Sequence, residues 1–148
     1  MDYKFVDFNI KGDERGYLIA FEENVNVPFD VKRVFYIFDT KGSVTRGQHA
    51  NKNTKHLLIN ISGSCRIKID NGKEQLDFLL NRPDQGLFIN NMVWKEMHEF
   101  SYNCILMVLA SEYYDETEYI RDYDEYLKIA NNSGLLTVNG EVSDIWKQ

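Results

Sequence analysis

The chain has 148 residues, 43% of them hydrophobic, and a formal net charge of −6. That length carries one domain with a real core, and the mix of apolar and charged residues excludes a disordered chain. The negative balance leaves no broad basic footprint for nucleic acid, so an anionic ligand must be met by local basic residues such as Arg33, Arg46 and Lys95.

Short runs rich in Val, Ile, Phe and Tyr, separated by turn signals, predict strands almost throughout. In chain order they are Tyr3–Asn9, Tyr17–Glu22, Val31–Phe38, His56–Ser62, Cys65–Asp70, Glu74–Leu80, Gly86–Ile89, Val93–Phe100 and Cys104–Ser111. Asn71-Gly72 predicts a hairpin turn; Ser62-Gly63-Ser64 and Arg82-Pro83-Asp84 are further turn signals. So many short strands indicate a sandwich or barrel. From Asp115 to Ile129, Tyr119, Ile120, Tyr123, Tyr126 and Leu127 recur at helical spacing, so one helix is expected there, its tyrosines packing it against the strands. Leu135–Val138 and Asn139-Gly140 are read as a small hairpin or an extension. The expected division is a domain over 1–130 and a C-terminal extension over 131–148 whose role the sequence does not assign.

Cys65 and Cys104 each lie in an apolar, strand-like run without metal-site spacing, so two reduced core thiols are expected. Met1-Asp2-Tyr3-Lys4 lacks a leader pattern and no apolar run reaches membrane-spanning length, so the expected location is the cytoplasm.

The most informative segment is Thr45-Arg46-Gly47-Gln48-His49-Ala50-Asn51-Lys52, read as a loop entering a strand. Alternate residues of a strand share a face, so His49 and Asn51 are expected to point into the same space. His56 opens the next strand, where alternation groups it with Leu58 and Asn60; an inward choice would place it beside His49. This is the expected mouth of a small β-barrel.

The sequence resembles the sugar-nucleotide 3,4-ketoisomerases of the WxcM-like cupin group. The resemblance rests on Asp13-Glu14-Arg15-Gly16, Lys32 to Asp39, Arg46-Gly47-Gln48-His49-Ala50, Gly63-Ser64-Cys65-Arg66, Val93 to His98, Val108-Leu109-Ala110-Ser111, Tyr113-Tyr114-Asp115-Glu116 and Tyr119-Ile120-Arg121. It implies a mostly β, cupin-type jelly-roll barrel with a short C-terminal helix and a homodimer that exchanges N-terminal strands. The implied substrate is a dTDP-linked 4-keto-6-deoxyhexose. The implied product is a 3-keto sugar suited to amination, in deoxysugar biosynthesis of the kind that feeds lipopolysaccharide. The chain departs from the family pattern at three positions. His49-Ala50-Asn51 stands for His-Ala-His, His56 for a glutamine, and Lys95 for a histidine after the tryptophan.

Moving a ketone from C4 to C3 requires removal of the C3 proton to an enediol and return of a proton to C4. A base neutral at the working pH and donors for the developing oxyanion are needed. His49 suits the base; the plain alternative is a histidine bonded to a backbone carbonyl. Asn51 cannot relay a proton but can donate to the enediolate and orient the sugar. His56 either supplies the missing relay or replaces a polar wall residue, and the sequence leaves both open. Lys95 either lines the pocket as a charge or extends to solvent beside Glu96. Arg33 and Arg46 are the phosphate candidates. Tyr36, three residues beyond Arg33, falls on the opposite strand face and needs a bulge to join it. Tyr17 is a candidate pocket wall or core filler, and His98 is expected to bond locally.

The first competing reading is a metal-dependent cupin. The four ligand positions here read His49, Asn51, His56 and Lys95, a poor set for a divalent cation, so neither a metal nor another cofactor is expected. The second is a sugar-nucleotide-binding cupin without turnover, structural or regulatory; the third is an isomerase or epimerase of a different nucleotide-linked keto sugar.

Overall fold

The computed structural model describes residues 2–135. Twelve strands dominate it: β1 (Tyr3–Asp7), β2 (Lys11–Asp13), β3 (Gly16–Leu18), β4 (Arg33–Phe38), β5 (Arg46–Asn51), β6 (His56–Ser62), β7 (Cys65–Asp70), β8 (Gln75–Leu80), β9 (Gln85–Ile89), β10 (Trp94–His98), β11 (Ile105–Ala110) and β12 (Tyr119–Ile120). One helix, α1 (Tyr123–Leu135), follows. Two antiparallel five-stranded sheets, ordered β1-β9-β6-β11-β4 and β12-β5-β10-β7-β8, form the jelly roll. They face each other as layers and do not close into one hydrogen-bonded barrel; β2 and β3 form a separate hairpin.

Strict alternation tells each strand which side is interior. On β6, Leu58 joins the core between the sheets, while Leu57 and Ile59 join a second cluster with Phe8, Val27, Phe29 and Leu109 on the outer face. Both faces of β6 are therefore apolar, and it reads as the nearly continuous hydrophobic run of a central strand. On β4, Arg33, Phe35 and Ile37 are partly buried and Val34, Tyr36 and Phe38 are exposed. The interior core of Leu58, Ile67, Leu87, Ile89, Leu106 and Val108 fills one part of the space between the sheets. Each such fully buried side chain contributes about 1.5–3 kcal/mol of transfer free energy. Cys65 and Cys104 are free and buried, as expected, and Asn60 bonds both sulfurs.

Three expectations need correction. The run Thr45–Lys52 is not mainly loop, because residues 46–51 pair with β10 and β12. The strand expected over Tyr17–Glu22 ends at Leu18; Ile19 and Phe21 leave the ladder to pack against the outer cluster. The helix expected from Asp115 starts only at Tyr123. Asp115 instead caps a 3-10 turn over Glu116–Glu118, and Tyr119 and Ile120 pair with Asn51 and Ala50. The open edge of β5 offers those residues backbone partners that a helix would forgo. The β7–β8 hairpin forms as expected, with register Asp70↔Gln75 and Gly72 at φ 89°. The small hairpin or extension expected around Asn139-Gly140 lies outside the described residues.

Helix α1 starts where the Asp122 side chain accepts from the Glu125 N–H at 3.0 Å, a cap for an otherwise orphaned donor. Its apolar side packs Tyr126 and Ala130 onto Ala50, Trp94 and Ile120, the outer faces of β5, β10 and β12. The buried Tyr126 hydroxyl lies 2.9 Å from the carbonyls of both Asp70 and Met92, clamping the helix to the strands that carry the polar site. Tyr126→Phe leaves both carbonyls without that donor. A loss of about 1–3 kcal/mol in a urea titration is expected, with the midpoint lowered and the slope unchanged.

Candidate active site

Four strands and the turn before β12 deliver polar side chains to one end of the interior, beside the apolar core. On β5 the delivery depends on a bulge. Lys95 pairs with His49 and Glu96 with Gly47, so Gln48 is an extra residue. Gly47 and Gln48 have φ of +82° and +58°, left-handed values that only glycine adopts freely. A β-carbon on Gly47 would stand 2.9 Å from the Lys95 carbonyl oxygen. Such a bulge re-aims the side chains that follow, here His49.

The His49 Nδ1 atom lies 3.0 Å from the Gly47 carbonyl oxygen. A carbonyl only accepts, so Nδ1 carries the hydrogen and Nε2 keeps its lone pair. The backbone-bonded histidine and the candidate base are thus the same side chain, and the backbone bond selects its tautomer. Burial first, then the positive charge of Lys95, lowers its pKa to about 4, against the opposing bond to Gly47. The ring leans on Tyr119, with centroids 4.8 Å apart.

His56 takes the inward choice and is 4% exposed. Burial, then the charges of Lys95, His49 and Arg33, holds it well below the usual imidazole range. Among the described residues its buried Nδ1 has no hydrogen-bond partner, and a buried polar atom of this kind calls for one.

Lys95 does not extend to solvent. It is 3% exposed, and its Nζ donates to Asn51 Oδ1 at 3.1 Å and to the Val93 carbonyl at 3.5 Å. Burial lowers its pKa to about 7, and Glu118 opposes that shift. The ammonium is therefore close to its titration point at neutral pH. Asn51 shares the inward end with His49 but is not poised as expected. Its Oδ1 is committed to Lys95 and its Nδ2 donates to Glu118 Oε1 at 3.1 Å, which leaves one amide hydrogen for any other partner.

Arg33 faces inward from β4, with its guanidinium between the Phe35 and Tyr114 rings at 5.2 and 5.5 Å. Among the described residues its buried Nε and Nη2 atoms have no hydrogen-bond partner. The other substrate candidates are not brought to this end. Tyr36 stands 62% exposed on the outer face of β4, its ring beside Phe38, because no bulge interrupts the alternation after Arg33. Tyr17 is 83% exposed on the β2–β3 hairpin, and Arg46 is exposed at the start of β5. His98 bonds locally, to Asp77 at 2.8 Å.

Residues that the sequence did not nominate for the site surround it. The buried Glu118 bonds Asn51, the backbone N–H groups of Asn53 and Thr54, and the Thr54 hydroxyl. At the rim Arg121 lies 4.6 Å over Tyr119 and pairs with Glu116, whose carboxyl Arg121 and Tyr114 hold down at about 2. Glu118 is 67 residues from Asn51 in sequence, so no local pattern marks it. Among the described residues no three His, Cys, Asp or Glu side chains cluster to hold a metal.

Two measurements follow from the His49 geometry. In ¹⁵N NMR at neutral pH its Nδ1 should be protonated and its Nε2 bare, with protonation only as pH falls to about 4. Gly47→Ala adds a β-carbon where the backbone is left-handed and crowded, so the same spectra should show a shifted midpoint or mixed tautomers.

The family model described as FdtA: WxcM-like, C-terminal matches residues 1–131. A TDP-4-oxo-6-deoxy-alpha-D-glucose-3,4-oxoisomerase from Aneurinibacillus thermoaerophilus is 50% identical over 128 residues, 86% of this chain and 92% of that protein. A 3,4-ketoisomerase from Helicobacter canadensis superposes with a TM-score of 0.86 at 50% identity, covering 88% of this chain and 98% of that one. A mutant of the 3,4-ketoisomerase QdtA from Thermoanaerobacterium thermosaccharolyticum, solved in complex with TDP-4-keto-6-deoxyglucose, matches with a TM-score of 0.86 at 40% identity, over 88% of this chain and 95% of that one. Sequence and fold agree over nearly the same residues, and the chain belongs to the FdtA, WxcM-like C-terminal family.

Proposed function

We infer that this chain is a 3,4-ketoisomerase of a dTDP-linked 4-keto-6-deoxyhexose, working by proton transfer through an enediol. The observation that carries this reading is the pairing of a neutral His49, its Nε2 bare, with the buried ammonium of Lys95 on the adjoining strand. One supplies a base, the other a fixed charge where the substrate oxygen becomes negative. The relatives act on, or were solved with, TDP-4-keto sugars, which supports the same substrate class here.

In this mechanism His49 Nε2 removes the C3 proton, which the C4 carbonyl acidifies. Electrons move into a C3–C4 double bond and the C4 oxygen becomes an enediolate beside Lys95. Collapse to the 3-ketone needs loss of the proton on the C3 oxygen, gain of one at C4, and a hydroxyl left at C4. His56, neutral at the working pH, can take the proton at one nitrogen and give one from the other, which suits movement between the two oxygens. The proton taken up by His49 exchanges with solvent at Nε2, and His49 then delivers a solvent-derived proton to C4. Arg33 meets the pyrophosphate through its unpartnered Nε and Nη2, which pair with it as a fork. Asn51 serves chiefly by holding Lys95.

We also propose a homodimer. The exposed apolar residues Ile10, Tyr17 and Leu18 around the β2–β3 hairpin, and Val34, Tyr36 and Phe38 on β4, are the surface that strand exchange would bury. A dimer brings Tyr17, Tyr36 and Arg46 their best opportunity to act, against the partner. Light scattering should give twice the mass of 17.4 kDa; a monomer at micromolar concentration would remove this part of the proposal. Two reduced, buried cysteines fit a cytoplasmic setting.

Incubation with dTDP-4-keto-6-deoxyglucose in deuterated water should place deuterium at C4 of a 3-keto product. Absence of both product and C3 exchange, with dTDP bound, would exclude this substrate. His49→Asn should cost about 10²–10⁴-fold in turnover with dTDP affinity retained; unchanged activity would remove His49 as the base. His56→Gln tests the relay, since a large fall in turnover supports it and a near-normal rate opposes it. Because neutral His49 is the reacting form, kcat/KM should fall as pH drops through about 4.

A further inference from the structure

Glu118 is 4% exposed and makes no direct ion pair with a lysine or arginine among the described residues. Its nearest link to a cation runs through an amide. Asn51 Nδ2 donates to Glu118 Oε1 at 3.1 Å, and Asn51 Oδ1 accepts from Lys95 Nζ at 3.1 Å. An ionised carboxylate only accepts hydrogen bonds and an ammonium only donates them. Between such ends an amide has one satisfactory orientation, nitrogen toward the carboxylate and oxygen toward the ammonium. The other three bonds to Glu118, from Asn53 N–H, Thr54 N–H and the Thr54 hydroxyl, keep the carboxylate in place.

We propose that Glu118 is a positioning residue of the isomerisation: through the Asn51 amide it keeps Lys95 charged and aimed at the position of the enediolate. The proposal rests on the ketoisomerase reading above. Lys95 is buried, and a buried ammonium without a counter-charge loses its proton. The groups facing it are His49 and Asn51 from β5, His56 from β6 and Glu118 from the turn before β12. Both imidazoles are neutral in the working range, and Arg33, which acts on His56, is positive. Glu118 is the negative charge of the set, and burial and Glu118 pull Lys95 in opposite directions. The amide orientation adds a second control. Without a carboxylate behind it, Asn51 can turn its NH₂ group toward the ammonium, replacing attraction by repulsion. Two departures from the family pattern, Asn51 and Lys95, are therefore halves of one arrangement completed by Glu118.

The sign follows directly. The ammonium is the working form, so kcat/KM falls as pH rises through the Lys95 pKa. Removing the negative charge of Glu118 lowers that pKa and moves the basic limb to lower pH. The test measures kcat/KM against pH with dTDP-4-keto-6-deoxyglucose for wild type, Glu118→Gln, Asn51→Ala and Lys95→Arg. In parallel, ¹³Cε NMR titrates Lys95 in lysine-labelled, substrate-free protein, with Lys95→Arg giving the assignment. Glu118→Gln should move both the basic limb and the NMR midpoint down by about one pH unit. Asn51→Ala keeps the bonds from Glu118 to residues 53 and 54 and should move both in the same direction, so a folding defect in Glu118→Gln does not decide the matter. In Lys95→Arg the limb should disappear, since guanidinium does not titrate in this range. A loss of activity equal at every pH, with the Lys95 midpoint unmoved in both Glu118→Gln and Asn51→Ala, would overturn the proposal and leave Glu118 a structural anchor. Wild type without turnover but with a Lys95 midpoint that moves in these variants would refute the ketoisomerase reading, while sustaining the electrostatic link.

Discussion

The carboxylate of Glu118 is the constraint on which the polar end of this protein depends. It sits in the turn before β12 and binds the connection from β5 to β6 at Asn51, Asn53 and Thr54. That connection lies between the strand that carries His49 and the strand that His56 opens. Fixing it fixes the spacing of the two imidazoles, and the backbone bond from Lys52 N–H to the Glu118 carbonyl at 2.9 Å reinforces the tie. A buried acid of this kind persists because donors from Asn51, Asn53 and Thr54 are aimed at it. It also explains why the 3-10 turn over Glu116–Glu118 does not run on into α1. The bonds to Glu118 and the β12 pairing hold Tyr119 and Ile120 extended along the edge of β5.

Burial then gives the gathered groups their chemistry. The same desolvation acts on His49, His56 and Lys95, and in each it favours the uncharged form. For the imidazoles this yields neutral side chains, one with its tautomer selected by the Gly47 carbonyl. For the lysine it brings the titration close to neutrality. Mutual repulsion among these groups works in the same direction, since Lys95 lowers both imidazoles. A buried polar cluster beside an apolar core thus gains pKa values that an open surface would not provide.

The outer side of the second sheet holds this cluster from behind. Trp94, Tyr123 and Tyr126 pack as an aromatic group, with the Trp94 centroid 5.1 and 5.7 Å from those of Tyr123 and Tyr126. Asp70 joins the group through the Tyr123 hydroxyl and Gln75. The strand residues alternate, so each buried contact of Trp94 or Ala50 behind the sheet helps fix Lys95, His49 or Asn51 in front of it.

The sequence by itself determined much of this. Period-two alternation and turn residues marked most strands and paired His56 with Leu58 and Asn60 on one face, because side-chain direction in a strand is a local property. The order of matched blocks identified the family, and the spacing of His49 and Asn51 put both at one end of the interior. Tyr36 was legible too, on the face opposite Arg33. Only the tertiary structure decided what depends on partners distant in the chain. The bulge at Gly47-Gln48 exists because of register with β10, and the fate of residues 115–120 was set by the free edge of β5, which helical spacing cannot reveal. The burial of Lys95, the commitment of the Asn51 amide and the part of Glu118 all arise from contacts across dozens of residues. Charge and protonation follow from such surroundings, and no local run of sequence contains them.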